Sequence, residues 1–205
     1  MVWAHNSLKY LHCNSTNMEL RTKRLSLRQL RSKDLPDLVE NINNIKVSQW
    51  LLAVPYPYSM KDAKLYLRRC KERWRLKEKN NYPFVIALKS NDRVIGGCRI
   101  HSVNKDQGTA EVGYWLGEGY WRQGYGSEAL DAMLKFIFKE LNLRRCQTPI
   151  FAGNPSSGKL LEKFGFKREG YKRKAAVSKA TGKIHDEIIY GLLKEEWNMR
   201  NRKKN

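Results

Sequence analysis

The sequence lacks the features that would send it into a membrane or staple it covalently. No apolar run approaches the roughly 18 residues of a spanning helix, and the opening MVWAHNSLKYLH has no apolar centre of a signal peptide. Both absences point to a cytoplasmic protein. Cysteine is scarce: Cys13, Cys70, Cys98 and Cys146 form no CxxC pair and match no His pair, so neither a disulfide framework nor a zinc site is indicated and no metal is expected. The nearest approach to a ligand pair, Cys98 with His101, sits on an alternating segment and reads as structural. Internal repeats, linkers and low-complexity tracts are missing as well. Acidic residues are outnumbered, 20 Asp and Glu against 40 Lys and Arg, a formal charge of +20. Such a field attracts polyanions: RNA, DNA or a phosphorylated small molecule. Basic residues nevertheless recur in almost every segment, with runs only at 68–79, 166–174 and 201–205. A solvated surface and work beside nucleic acid, such as at the ribosome surface, both stay open. A dedicated nucleic-acid reader is disfavoured, because neither RNP-like aromatic motifs nor a helix-turn-helix signature is present.

What is there fits one α+β domain. A length of 205 residues with 41% hydrophobic and 29% charged residues is enough for a sizeable core. Residues 1–17 show no period and read as a disordered extension, with Met18 as a second candidate start; 18–199 form the domain and 200–205 a basic tail. MELRTKRLSLRQL alternates like one strand. Ser32 is placed to cap a helix carrying Leu35, Leu38, Val39 and Ile42, and Ser59 with Asp62 to form a capping box for a second helix over 59–79. WLLAVPYPYS between them reads as a loop. FVIALKSNDRVIGGCRIHSV predicts a hairpin turning at Asn91 and Asp92, and TAEVGYWLG a further strand. GSEALDAMLKFIFKELN predicts a long helix, RRCQTPIFA a strand, PSSGKLLEKF a short helix ending at Gly165, and AAVS and EIIYGLL two closing strands.

Two glycine-bearing segments invite a phosphate ligand. GNPSSGKLL comes within one residue of a phosphate loop, but Leu160 stands where that loop needs the hydroxyl that holds Mg²⁺. The later strand ending in an acidic metal ligand is also absent, which argues against a nucleotide hydrolase. EGYWRQGYGSEAL is different. Gly124 and Gly126 flank a helix start that follows a strand, so the N–H groups of residues 122–127 can point at an anion, aided by the helix dipole and by Arg122 at the rim. A glycine-eased helix entry without a ligand is the alternative on these features alone.

The run EVGYWLGEGYWRQGYGSEAL resembles the acetyl-CoA-binding segment of the GNAT superfamily of N-acetyltransferases, and within it the ribosomal-protein N-terminal acetyltransferases of the RimJ/RimL type. Trp121 stands where the superfamily carries Gln or Arg, a departure usual in that branch. NPSSGKLLEKFGF, HDEIIYGLLKEEW and TKRLSLRQL resemble further elements of the branch, so the likeness spans about residues 18–197. The resemblance implies a central mixed, mostly antiparallel sheet flanked by helices, with a splayed pair of strands holding acetyl-CoA. It implies that the backbone of Trp115, Leu116 and Gly117 pairs with the pantetheine arm, that Arg122, Gln123, Gly124, Tyr125, Gly126 and Ser127 cradle the diphosphate, and that Asn154 and Ser157 face the arm. The Gly-Lys pair of GNPSSGKLL is then coincidental.

Acetyl transfer to an amine needs the amine neutral. At pH 7 this costs about 1 kcal/mol for an α-amine and about 4.5 kcal/mol for Lys, so an N-terminal acceptor asks little of its base. Glu111, on the strand beside the cofactor segment, is the candidate base, acting directly or through water; an outward surface carboxylate is the alternative. Many superfamily members protonate the leaving thiolate with a Tyr, where this chain has Leu161. Ser157 is the candidate replacement, with a water or a mere capping serine as alternatives. The acceptor reads as a protein N-terminus, with a small-molecule amine (polyamine or antibiotic) second and a nucleic-acid-binding module with a vestigial cleft third. Helix 59–79 and WLLAVPYPYS are expected to line the acceptor pocket, with Arg68 and Arg69 favouring acidic or neutral acceptors. Monomer and homodimer both remain open.

Overall fold

The computed structural model describes residues 18–202, so the expected extension 1–17 and residues 203–205 lie outside it. Eight strands form one sheet in the order β1-β2-β3-β4-β5-β6-β8-β7. They are β1 (Glu19–Arg21), β2 (Leu25–Arg28), β3 (Tyr82–Leu88), β4 (Val94–Asn104), β5 (Thr109–Leu116), β6 (Arg145–Phe151), β7 (Lys167–Val177) and β8 (Ile184–Leu193). Every neighbouring pair is antiparallel except β5 with β6. The helices are α1 (Leu35–Ile42), α2 (Ile45–Ser48), α3 (Met60–Arg75), α4 (Tyr125–Lys135), α5 (Pro155–Lys163) and α6 (Lys194–Arg202). Among the described residues no helix is long and apolar enough to cross a membrane. α6 runs through Arg202, past residue 199 where the sequence suggested a tail.

Several local expectations change. MELRTKRLSLRQL is a hairpin rather than one strand, because Thr22 closes a turn: its backbone N–H donates to the Leu25 carbonyl at 2.9 Å and its hydroxyl accepts from Leu25 N at 2.8 Å. Ser32 does not cap α1. Residues Ser32–Asp34 form a 3-10 turn, and the carboxylate of Asp34 accepts from Arg31 N at 2.7 Å. That carboxylate also takes two bonds from the buried Arg28 guanidinium, at 2.7 and 3.0 Å, while Asp92 at the β3–β4 turn takes two more at 3.0 and 2.8 Å. The Ser59–Asp62 capping box forms as read, but α3 stops at Arg75, short of 79. The long helix is α4 followed by a π-helical turn at Phe136–Glu140.

The sheet separates two apolar cores. On one face α4, its π-helical turn and α5 bury Leu130, Met133, Leu134, Phe138 and Leu161 against Leu25, Leu27, Phe84, Ile100 and Val112. On the other, α1 and α3 bury Leu38, Ile42, Ala63 and Leu67 against Val85 and Ala87. Cys98 is packed in the first core, whereas His101 pairs with Glu111 on the second face, so these two side chains cannot chelate one ion.

Candidate active site

The cleft begins where two parallel strands part. Pairing of β5 with β6 covers Thr109 with Arg145, Ala110 with Cys146 and Glu111 with Gln147, and then ends. Beyond Glu111, β5 stays with β4 alone and β6 with β8 alone. Glu111 therefore stands at the fork. Its Oε1 accepts from Gln147 Nε2 at 3.2 Å, and its Oε2 lies 3.8 Å from His101 Nδ1. Burial, followed by the charges of Arg99 and Arg73, pushes the His101 pKa down to about 4. His101 is neutral at pH 7, so that approach is not an ion pair.

Strand alternation decides which amides enter the fork. Gly117 N donates to the Ile95 carbonyl at 2.9 Å, and Trp115 lies opposite Gly97 in the same ladder. In an antiparallel ladder successive residues turn their polar groups to opposite sides. Gly117 and Trp115 are thus committed to β4. Of the three residues expected to pair with a pantetheine arm, Leu116 alone turns its amide into the opening, joined by Tyr114. The Leu116 carbonyl accepts from Trp121 Nε1 at 2.8 Å, a role the sequence did not reveal. The Trp115 side chain packs on the α1–α3 core instead.

The glycine turn adopts the backbone needed for an anion cradle. Arg122 (φ 58°) and Gly124 (φ 83°) are both left-handed, and Gly124 caps α4. The first helical bond is Glu128 N to Gly124 O at 3.0 Å, so the amides of Tyr125, Gly126 and Ser127 precede any helical acceptor. A Cβ on Gly126 would meet Leu160 Cδ2 at 3.3 Å, which keeps that turn tight against α5. Gln123 holds the loop through Nε2 to the Gly119 carbonyl at 2.8 Å, and its own carbonyl accepts from Arg24 Nη1 at 3.0 Å. Arg24 also covers the Tyr125 ring at 4.3 Å. Glu128, the one carboxylate in the first turn of α4, accepts from the Thr22 hydroxyl at 2.6 Å and from Arg24 N and Nε at 2.7 Å. Burial pushes its pKa up, and these bonds outweigh that and hold it below the carboxylate range. The brace keeps the acid charged and neutralised by Arg24. Arg24 and Glu128 were not singled out by sequence because their partners are about a hundred residues apart in the chain.

Across the fork, Asn154 caps α5 by accepting from Ser157 N at 3.2 Å. Capping thus falls to Asn154, which commits its carbonyl oxygen. The Ser157 hydroxyl instead lies 3.0 Å from the Tyr114 hydroxyl. Burial raises the Tyr114 pKa to about 12, with the Ser157 bond opposing, so this phenol keeps its proton at neutral pH. Leu161, where a Tyr was missed, is fully buried. A phenol is present after all, delivered from β5.

The loop containing WLLAVPYPYS, whose first turn holds α2, reaches the other wall. Trp50 lies 6.4 Å from the His185 ring, which stacks on Phe151 at 4.3 Å, and the Leu52 carbonyl accepts from Lys179 N at 3.2 Å. Leu52, Val177 and Ile184 remain exposed around this rim.

The chemistry of the donor set fits acetyl-CoA: outward amides at a strand fork for the arm, and helix-start amides with Arg122 for a diphosphate. Comparison with known proteins agrees. The Acetyltransferase (GNAT) domain family matches residues 24–167. The uncharacterized N-acetyltransferase p20 of Bacillus licheniformis is 30% identical over 178 residues, covering 87% of this chain and 97% of its own. The ribosomal-protein-serine acetyltransferase of Escherichia coli is 31% identical over 94 residues, 46% of this chain and 52% of that one. The fold is shared with the spermidine N-acetyltransferase of Vibrio cholerae solved with CoA and spermine, at a TM-score of 0.71 and 20% identity, over 86% of this chain and 99% of that one. A parted pair of strands, a left-handed glycine turn and a family match across most of the sheet lead to one conclusion: this chain belongs to the GNAT acetyltransferases and is an acetyl-CoA-dependent N-acetyltransferase.

Proposed function

We propose that the enzyme acetylates the N-terminal α-amine of a protein, using Glu111 as base and the Tyr114–Ser157 hydroxyl pair as donor to the leaving sulfur. The observation that carries this reading is the position of Glu111, the last residue of β5 paired with β6, with Ser157 on the opposite wall of the opening. Bound acetyl-CoA supplies the activated acyl carbon. The amides of Tyr125, Gly126 and Ser127, with Arg122, hold the diphosphate, and the Leu116 amide holds the arm. Glu111 takes the proton of the incoming amine, directly or through water, with Gln147 fixing its Oε1. Tyr114 steadies the Ser157 hydroxyl, and the pair gives the departing sulfur a hydrogen bond and then a proton.

An α-amine suits this site because its deprotonation costs only about 1 kcal/mol at pH 7, within reach of a carboxylate that is partly open to water. The ribosomal-protein enzyme of Escherichia coli, similar over part of the chain, supports a protein acceptor of that type. A polyamine acceptor is the second reading. It is favoured only by the shared fold of the spermidine enzyme. Intact-mass analysis of a bacterial ribosomal-protein extract, before and after incubation with enzyme and acetyl-CoA, tests the proposal. One added acetyl group that maps to an α-amine is the expected result. Acetylation confined to added spermidine would overturn it.

A further inference from the structure

The face of the fork that α3 overlooks carries an unusual charge arrangement. Gly97, Arg99 and His101 on β4 lie opposite Trp115, Gly113 and Glu111 on β5, so all six share that face. At Gly113 a Cβ would meet nothing within 4 Å, whereas at Gly97 it would strike the Trp115 indole. The strand surface is therefore open beside Glu111 and roofed one pair further out. Arg99 borders this trough directly, being the partner of Gly113. Arg73 lies on α3, one turn beyond the buried Cys70 and two beyond Tyr66.

The positive charge of Arg73 acts on Arg99 from α3. Arg99 is reached by solvent, yet desolvation pushes its pKa below the arginine value, Arg73 pushes the same way, and Tyr66, Cys70 and Glu111 oppose. Neither side chain makes a hydrogen bond or ion pair among the described residues. Three other arginines in or beside the sheet are paired with carboxylates: Arg28 with Asp34, Arg93 with Glu40 and Arg145 with Glu169. Two like charges held without a hydrogen-bonded carboxylate cost free energy that the more distant Glu111 only partly offsets, and a ligand that brings an anion recovers it. Arg68, by contrast, shares an outer surface groove with Lys64, Lys71 and Arg75, away from the strand.

We propose that Arg73 and Arg99 form an anion subsite beside Glu111, which selects acceptors carrying a carboxylate within a few residues of the reacting amine, as in an acidic N-terminal peptide. The proposal rests on the acetyl-transfer reading for its catalytic consequence but not for its binding one. The guanidinium pair takes the acceptor carboxylate by charge-assisted bonds, while the peptide lies over Gly113 and its amine meets Glu111. A polyamine brings positive charge to the same place and is repelled.

The test uses peptides that share a first residue and carry Glu, Gln or Lys at positions two to four. Each is measured twice with the full chain: by fluorescence anisotropy in the presence of CoA, and by thiol release with acetyl-CoA. The Glu peptide is expected to bind roughly tenfold tighter than the Gln peptide and the Lys peptide weaker still, with kcat/KM in the same order. Arg99→Gln should collapse the Glu-to-Gln ratio towards one and Arg99→Lys should retain part of it. Arg73→Gln should lower the ratio by a smaller factor. Equal binding of the three peptides, a preference for Lys, or an unchanged ratio in Arg99→Gln overturns the subsite. A charge preference in binding without any thiol release would uphold the subsite and defeat the proposed reaction instead.

Discussion

The two faces of β5 are built from alternate residues of one eight-residue strand and have opposite characters. Ala110 and Val112 are almost fully buried against the α4 side, and Tyr114 and Leu116 continue that face. Thr109, Glu111, Gly113 and Trp115 look towards α1 and α3, half exposed, with one position bare of side chain. The apolar face fixes the strand in the sheet, and the polar face is then free to carry charge where no core must be filled. The fork joins them: Glu111 on the polar face and Tyr114 at the end of the apolar face straddle one opening. Stability and the proposed chemistry thereby fall to neighbouring residues that point in opposite directions.

Substitutions along β5 should separate these two characters. Glu111→Gln on the polar face should lower kcat by roughly 10²-fold or more, with the melting temperature nearly unchanged; steady-state thiol release and thermal denaturation read the two effects. Val112→Ala, one residue away and 1% exposed, should do the reverse and cost roughly 2 kcal/mol in urea unfolding while the folded enzyme keeps its kcat. If Val112→Ala slows turnover as much as Glu111→Gln, the division between faces fails. Where the faces meet, Ser157→Ala should lower kcat about tenfold, and Tyr114→Phe by a smaller factor, since a water can replace one hydroxyl of the pair. Single-turnover rates with KM unchanged would place both effects in the chemical step.

The smallest effect concerns His101. Its folded pKa of about 4 lies below the unfolded value near 6.5, so between those limits the unfolded chain binds more protons. Stability from keeping it neutral is full above about pH 6.5 and is lost as pH falls towards 4. His101→Gln should flatten the fall in melting temperature across that window. An identical pH profile would show that His101 is not held neutral by its surroundings.

Much of the backbone around the candidate site was legible because its signals are local. The strand, glycine turn and helix around Gly124 lie within one short segment, and the Ser59–Asp62 box and the Asn91–Asp92 turn are each set by residues a few positions apart. What escaped depends on sheet register. Arg28 reads as the polar member of an alternating strand, yet all four residues of β2 are buried because Asp34 and Asp92 neutralise it from elsewhere. The Tyr114–Ser157 contact joins residues 43 apart, and the charge of Arg73 acts on Arg99 only through the packing of α3 on that face. Even the assignment of amides was half readable: sequence marks a strand end at Trp115–Gly117, but only the ladder with β4 shows that Gly117 is already bonded.

That alternation gives the most direct test of the account. Amide hydrogen exchange should be followed residue by residue with and without acetyl-CoA. Leu116, Gly126 and Ser127 should slow markedly when acetyl-CoA is added, while Trp115 and Gly117, already paired with β4, should change little. Slowing of Trp115 and Gly117 with no effect at Leu116 and Gly126, or protection confined to another part of the chain, would contradict the placement of acetyl-CoA in the fork between β5 and β6.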